Sequence, residues 1–197
     1  MKHLGRKIYH LTGGLGLLSL YYLLGRDYAL FFYAALFVVV LCCDLIRLKI
    51  PSANNFILKN FPSFIRESEA HKLTGTPAYV LGIGLTLYFY RTDLAALAIC
   101  FLAFGDVAAT TVGERYGKTK IGPKSLEGSI AFVTASVAAG FLLLLAGVIA
   151  VPFWIILIGA IIAACIELLP IQINDNLVIP LAAGGAMSLI CWMAGCG

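Results

Sequence analysis

Seven stretches of this chain, near residues 8–25, 28–43, 76–90, 93–112, 129–150, 152–168 and 177–195, are almost uninterruptedly apolar. Each is close to the roughly 17–25 residues that carry a helix across a bilayer. A segment immersed in hydrocarbon must satisfy its own backbone N–H and C=O groups, which restricts such runs to helices. The second and third runs are short and gain a turn from their flanks; the sixth continues to Leu169 before Pro170 ends it. A hydrophobic fraction of 61%, a charged fraction of 12% and a mean hydropathy of +0.95 exclude a soluble globular domain. The expectation is an all-α polytopic membrane protein of about seven transmembrane helices. The 197 residues show no internal repeat, low-complexity tract or linker, so one integral-membrane domain over 1–197 is expected, with no appended soluble domain. No cleavable leader is expected, because the first run contains His10 and leads to Gly25-Arg26-Asp27 rather than to a small-residue cleavage site.

Charge gives the orientation. Lys2, Arg6 and Lys7 precede the first run; Arg47, Lys49, Lys59, Arg66 and Lys72 lie between the second and third; Arg115, Lys118, Lys120 and Lys124 follow the fourth. These twelve of the fourteen Lys and Arg residues fall on one side of a seven-span topology, which the positive-inside rule makes cytoplasmic, together with the N-terminus. Arg26 and Arg91, each beside an Asp in a short turn, are left on the other side. The net charge of +4 is thus topogenic and suited to anionic lipid head groups, and nucleic acid is set aside as a partner. The six cysteines show no metal-ligand spacing, and most lie in apolar runs where Cys is a small hydrophobe. Within the 44–75 connection, NNFILKNFPSFIRE alternates apolar and basic residues; an interfacial amphipathic helix and a plain connector are both open readings.

Polar residues in so apolar a chain are costly, and they gather in a few places. GDVAATTVGERYGKTKIGPKSLEGS, residues 105–129, holds Asp106, Glu127, Lys118, Lys120, Lys124, Ser125 and Ser129 among five glycines. Glycines let backbone N–H groups approach an oxyanion, lysines supply charge for phosphates, and a carboxylate can hold a divalent cation that bridges phosphate oxygens. Ser125 to Ser129 precede the fifth run, where a helix N-terminus could receive anionic oxygens; Ser125 with Glu127 and Gly128 equally fits plain N-capping. In ELLPIQINDNLVIP, residues 167–180, Glu167 ends the sixth run and Asn174, Asp175 and Asn176 open the seventh, an oxygen-rich set suited to a hard cation or a ligand hydroxyl, or to a cap. RKIYH places Arg6, Lys7 and His10 at the start of the first run. DLIR sets Asp44 and Arg47 as an i, i+3 pair that an interfacial salt bridge would explain. EAHKLTGT, residues 69–76, offers Glu69 and Thr74 to a head-group site or forms a solvated charged turn.

In combination these five segments resemble the dolichol kinase, phytol kinase and CTP-dependent diacylglycerol kinase family over nearly the whole chain, and more distantly the phosphatidate cytidylyltransferases. The Pro-Gly-His-Gly-Gly and Asp-Arg-x-Asp signature usual in the latter is missing here. The resemblance implies a Mg²⁺-dependent kinase at the cytoplasmic interface, moving the γ-phosphoryl group of CTP to the hydroxyl of a membrane lipid alcohol: a polyprenol, phytol or geranylgeraniol, or diacylglycerol. On that reading Asp106, with Glu127 or Asp175, holds the metal. Lys118, Lys124, Ser125, Gly128 and Ser129 take the triphosphate, and Arg6, Lys7 and His10 complete the phosphate cage. Asp175 or Asp106 handles the hydroxyl proton, while Glu69, Thr74, Glu167, Asn174 and Asn176 meet the acceptor. A cytidylyltransferase making a CDP-lipid is the alternative enzyme. A small transporter or scaffold with a cation site is the alternative from another class, although polar residues gathered at one face do not form a midplane pathway. Gly82-x-Gly84 and Gly184-Gly185 suit close helix packing, within a chain or in a homo-oligomer.

Overall fold

A computed structural model describes residues 4–65, 69–170 and 172–196; Lys2 and Arg66, counted above for orientation, lie outside them. The described chain is 80% helical. In order it forms α1 (Leu4–Leu24), α2 (Arg26–Lys49), α3 (Pro51–Asn60), α4 (Gly75–Phe89), α5 (Thr92–Cys100), a π-helical turn (Phe101–Gly105), α6 (Asp106–Tyr116), a two-stranded ribbon of β1 (Lys120–Ile121) and β2 (Lys124–Ser125), α7 (Leu126–Leu145), α8 (Phe153–Leu168) and α9 (Asp175–Ala194). Each apolar run falls on a helix. Four of these helices, Arg26–Lys49, the continuous Thr92–Tyr116, Leu126–Leu145 and Asp175–Ala194, are long and apolar enough to cross a membrane.

The termini follow local chemistry. Asp27 in the first turn of α2 and Arg47 and Lys49 in its last complement the helix dipole. Pro51 opens α3, where its missing N–H costs nothing. Side-chain oxygens of Thr74, Ser125 and Asn174 cap α4, α7 and α9. The first half of the alternating segment, to Asn60, lies on a helix, α3, with Phe56 62% exposed and Asn54 turned inward.

α5 and the π turn form the centre, with every residue from Leu94 to Ala103 buried. α7 packs on α6, α8 and the π turn; α9 packs on α8, α4 and α5; α2 packs on α4 and α1. Small residues permit the closest approaches. Gly105 lies under the Phe132 ring and Ser136, Gly82 against the backbone of Asn176 and Leu177, and Gly184 and Gly185 against the Tyr90 ring. The glycine pairs are therefore used inside the chain. At one end lie the short turns holding Arg26, bonded to the Tyr88 carbonyl, and Arg91, paired with Asp93.

The polar segments converge at the other end. There Asp44 and Arg47 form the expected i, i+3 ion pair, but it is buried and bonded further rather than a plain interfacial bridge. The Arg47 guanidinium donates to Asp44 (2.8 Å), to Asn54 of α3 (2.7 Å) and to the carbonyls of Glu69, Ala70 and Lys72. Asp44 in turn accepts from the Thr74 N–H at 2.6 Å. One Arg thus ties α2 to α3 and to the 69–74 segment that leads into α4. Arg47→Ala removes the cation paired with a buried acid and should destabilise the protein by about 3–5 kcal/mol, read as a lowered unfolding temperature in detergent; an unchanged transition would show that this connection is not held from α2.

Candidate functional site

Three polar-lined cavities lie in a row at this end. The large one, about 390 Å³, is bounded by α6 (Asp106, Thr110, Gly113, Glu114), the ribbon (Lys120, Pro123, Lys124), the start of α7 (Ser125, Gly128, Ser129), Glu167 of α8 and Asp175 of α9. A passage of about 40 Å³ shares Asp106, Thr110 and Glu114 with it and adds Arg6, Lys7, His10 and Val107. Beyond it a cleft of about 130 Å³ is lined by Arg6, Tyr9, His10, Phe64, Gly75, Thr76 and Asn176.

The ribbon is built by sequence. Gly117 ends α6, Lys120 pairs with Ser125 and Ile121 with Lys124, and Gly122 at φ 60° with Pro123 makes the turn. This delivers Lys124 to the cavity, where its ammonium lies 3.2 Å from Glu167 Oε1 and 3.0 Å from Asp175 Oδ2 and also donates to the Glu167 carbonyl. Ser125 accepts from the Gly128 N–H at 3.2 Å, and the Ser129 hydroxyl donates to the Ser125 carbonyl at 3.3 Å. The backbones of α6 and α7 nearly touch at Gly113 and Gly128: a Cβ on Gly128 would lie 2.9 Å from the Ala109 carbonyl oxygen and 3.1 Å from Ser125 Oγ. The first turn of α7, with its positive dipole end, lines the cavity beside Lys124; its Leu126 N–H donates to the Thr119 carbonyl and its Gly128 N–H to Ser125 Oγ.

Asp106 follows the π turn and forms part of the wall between the large cavity and the passage. Its Oδ2 is 3.8 Å from Nδ1 of buried His10, whose ring packs on Tyr79 with centroids 4.3 Å apart. Lys7 reaches Glu114 at 2.8 Å, and Arg6 holds both Glu69 oxygens at 3.1 and 2.9 Å.

Of the residues singled out in the sequence, Asp106, Lys124, Ser125, Gly128, Ser129, Glu167 and Asp175 share the large cavity, with Arg6, Lys7 and His10 at its neighbour. Others are elsewhere. The Glu127 carboxylate turns to the Thr119 N–H, at 3.0 and 3.2 Å, and braces the ribbon instead of joining Asp106 and Asp175. Lys118 is exposed and outside the cavity lining. Thr74 and Asn174 are caps, Glu69 holds Arg6 and the Gly75 N–H, and Asn176 donates to the Gly75 carbonyl while facing the cleft. Thr110 and Glu114 line the cavity without having been singled out, and so does Lys120, named among the lysines of the stretch but given no role of its own. The signal was present for α6, since positions 106, 110, 113 and 114 lie on one helical face.

Among the described residues no three His, Cys, Asp or Glu side chains cluster as a metal cage. Mg²⁺ is commonly held by one or two carboxylates together with substrate phosphates. Asp106 and Asp175, opening onto one cavity, fit that partial donor set.

The chain is similar to CTP-dependent diacylglycerol kinases and to a phytol kinase. It is 32% identical over 138 residues to CTP-dependent diacylglycerol kinase 1 of Saccharomyces cerevisiae, covering 67% of this chain and 47% of that protein. With the Schizosaccharomyces pombe protein of the same name it is 29% identical over 168 residues, covering 78% and 77%. With probable phytol kinase 1, chloroplastic, of Oryza sativa subsp. japonica it is 25% identical over 211 residues, covering 99% and 67%. These relatives bear out the resemblance carried by the motifs. The matched segment thus spans about half the length of the S. cerevisiae protein. No family model and no solved structure matches the chain.

Glu127→Gln separates bracing from metal binding. An amide oxygen still accepts from Thr119, so nucleotide affinity measured by equilibrium binding should fall by less than about ten-fold. A loss of all detectable binding would put the Glu127 carboxylate back in the site.

Proposed function

We propose that this protein is a CTP-dependent lipid kinase that transfers the γ-phosphoryl group of the nucleotide to the hydroxyl of a membrane lipid, at the cytoplasmic surface. The observation that carries the reading is one cavity in which Lys120, Lys124 and the α7 N-terminus face Asp106 and Asp175. Phosphoryl transfer demands positioned phosphates, a neutralised charge and a base or orienting group for the incoming hydroxyl, and little covalent chemistry from the protein. Those parts are present. The names of the relatives supply CTP as donor and diacylglycerol or phytol as acceptor classes; diacylglycerol is the acceptor proposed here. The cytoplasmic assignment rests on the basic residues gathered at this end.

The roles follow from position. Lys124, beside the positive dipole end of α7, holds the β- and γ-phosphate oxygens, with Lys120 at the outer edge. Asp106 and Asp175 would hold Mg²⁺, which when bound offsets the charge of the phosphate oxygens. At the wall of the passage, Asp106 orients the acceptor hydroxyl and takes its proton as the new O–P bond forms and the bond to the CDP oxygen breaks. His10 stands beside the Asp106 carboxylate, and Lys7 lies one contact away on Glu114.

The purified protein in detergent, given Mg²⁺, γ-labelled CTP and diacylglycerol, should produce labelled lipid, and chelation of the cation should stop it. Asp106→Asn should lower turnover by at least about 100-fold with an unchanged unfolding temperature. Formation of pyrophosphate and a CDP-lipid from CTP and phosphatidate, without label transfer to any alcohol, would replace this reading with the cytidylyltransferase one.

A further inference from the structure

We infer that the small cleft between α1, α4 and α9 receives the hydroxylated head of a neutral lipid, while the large cavity takes the nucleotide, so that the two substrates meet through the passage at Asp106. The inference rests on the kinase reading and adds to it where each substrate sits.

Size separates the two spaces. The large cavity, at about 390 Å³, falls within the roughly 300–1,000 Å³ of small-molecule sites. The cleft, at about 130 Å³, accommodates a small polar head and no triphosphate nucleotide. At Gly75 the Asn176 and Arg6 side chains take the place a side chain would fill: a Cβ there would lie 2.8 Å from Asn176 Nδ2 and 2.9 Å from an Arg6 guanidinium nitrogen.

Charge separates them again. Lys120 and Lys124 line the large cavity. In the cleft Arg6 is the cation, and Glu69 already engages it through both carboxylate oxygens. Tyr9, Thr76 and Asn176 add hydroxyl and amide groups of no formal charge. Such a lining suits an uncharged alcohol or ester, whereas a phosphate monoester would find its guanidinium neutralised.

The surroundings fit a molecule anchored in lipid. Phe64, 47% exposed, stands at the cleft, and Phe61, its ring centroid 6.4 Å from that of Phe64, is 49% exposed. Apolar tails can thus remain in the membrane while the head enters. The passage then connects the head to the phosphates: Arg6 and His10 line both cleft and passage, and Asp106 lines both passage and cavity.

Steady-state kinetics in mixed micelles tests the division. For Phe64→Ala and Thr76→Val the KM for diacylglycerol should rise by about five- to ten-fold, with the KM for CTP within about two-fold and kcat at saturating lipid little changed. Thr76→Ser, which keeps the hydroxyl, should behave as wild type, and Lys120→Met should show the opposite pattern, a raised KM for CTP alone. An active wild type whose Phe64 and Thr76 variants move the CTP KM, or move neither, would overturn the inference and leave the kinase reading standing. A wild type that phosphorylates no hydroxylated lipid would remove both.

Discussion

Helices in hydrocarbon gain little by hiding apolar surface from one another, because lipid tails are as apolar as leucine; close packing and polar contacts must hold them. Here nearly all the interhelical ion pairs sit at one end. Lys124, carried between α6 and α7, joins α8 through Glu167 and α9 through Asp175. Asn176 joins α9 to α4, Lys7 joins α1 to α6, and Arg6 with Glu69 joins α1 to the segment before α4. Arg47 closes the circle from α2. The candidate site is therefore also the clasp of the bundle, while residues such as Leu23, Phe31 and Trp192, each more than three-quarters exposed, give it an apolar outer surface.

On the proposed kinase reading, a clasp made of these groups has a chemical consequence for nucleotide and metal binding. Lys124 is held between two carboxylates before any phosphate arrives. A triphosphate that recruits its ammonium must compete with Glu167 and Asp175, and in doing so lowers the hold on both acids. The attraction gained by the phosphate is offset by carboxylates left facing one another in a partly dehydrated space, which a divalent cation relieves. Nucleotide and metal thus favour one another on electrostatic grounds alone.

Much of this was legible in the chain. The seven apolar runs fall on helices because length and hydropathy leave a lipid-embedded segment no other way to satisfy its backbone, and Ser125 and Asn174 occupy the helix starts that their side chains predict. The site's membership was legible as composition: Asp106, Lys124, Ser125, Glu167 and Asp175 stand out against apolar neighbours. What each residue does with its neighbours was not. Glu127 sits in the same short motif as Lys124 yet points to Thr119, because the chain passes from ribbon to helix at Ser125 and Glu127 lies in the first turn of α7. Asp44 and Arg47 read as a surface pair, since burial comes from α3 and residues 69–74 folding over them, contacts up to 30 residues away in sequence.

The least legible feature sets the position of Asp106. No residue type announces a π turn, and Phe101 to Gly105 look like any apolar helix interior. One residue accommodated beyond the regular spacing rotates everything after it by about 100° relative to a continuous α-helix. Before the turn, Leu94 to Ala103 are buried on every side. After it, Asp106, Thr110, Gly113 and Glu114 form a single stripe along the large cavity. Gly105 makes the change of phase possible, because the Phe132 ring and Ser136 fill the place where a side chain would stand, 2.7 Å from a Cβ. An unbroken α-helix would turn the same carboxylate away from Lys124 and the α7 N-terminus. A helix whose first half the bundle buries can carry an acid to its site because its winding changes immediately before that acid.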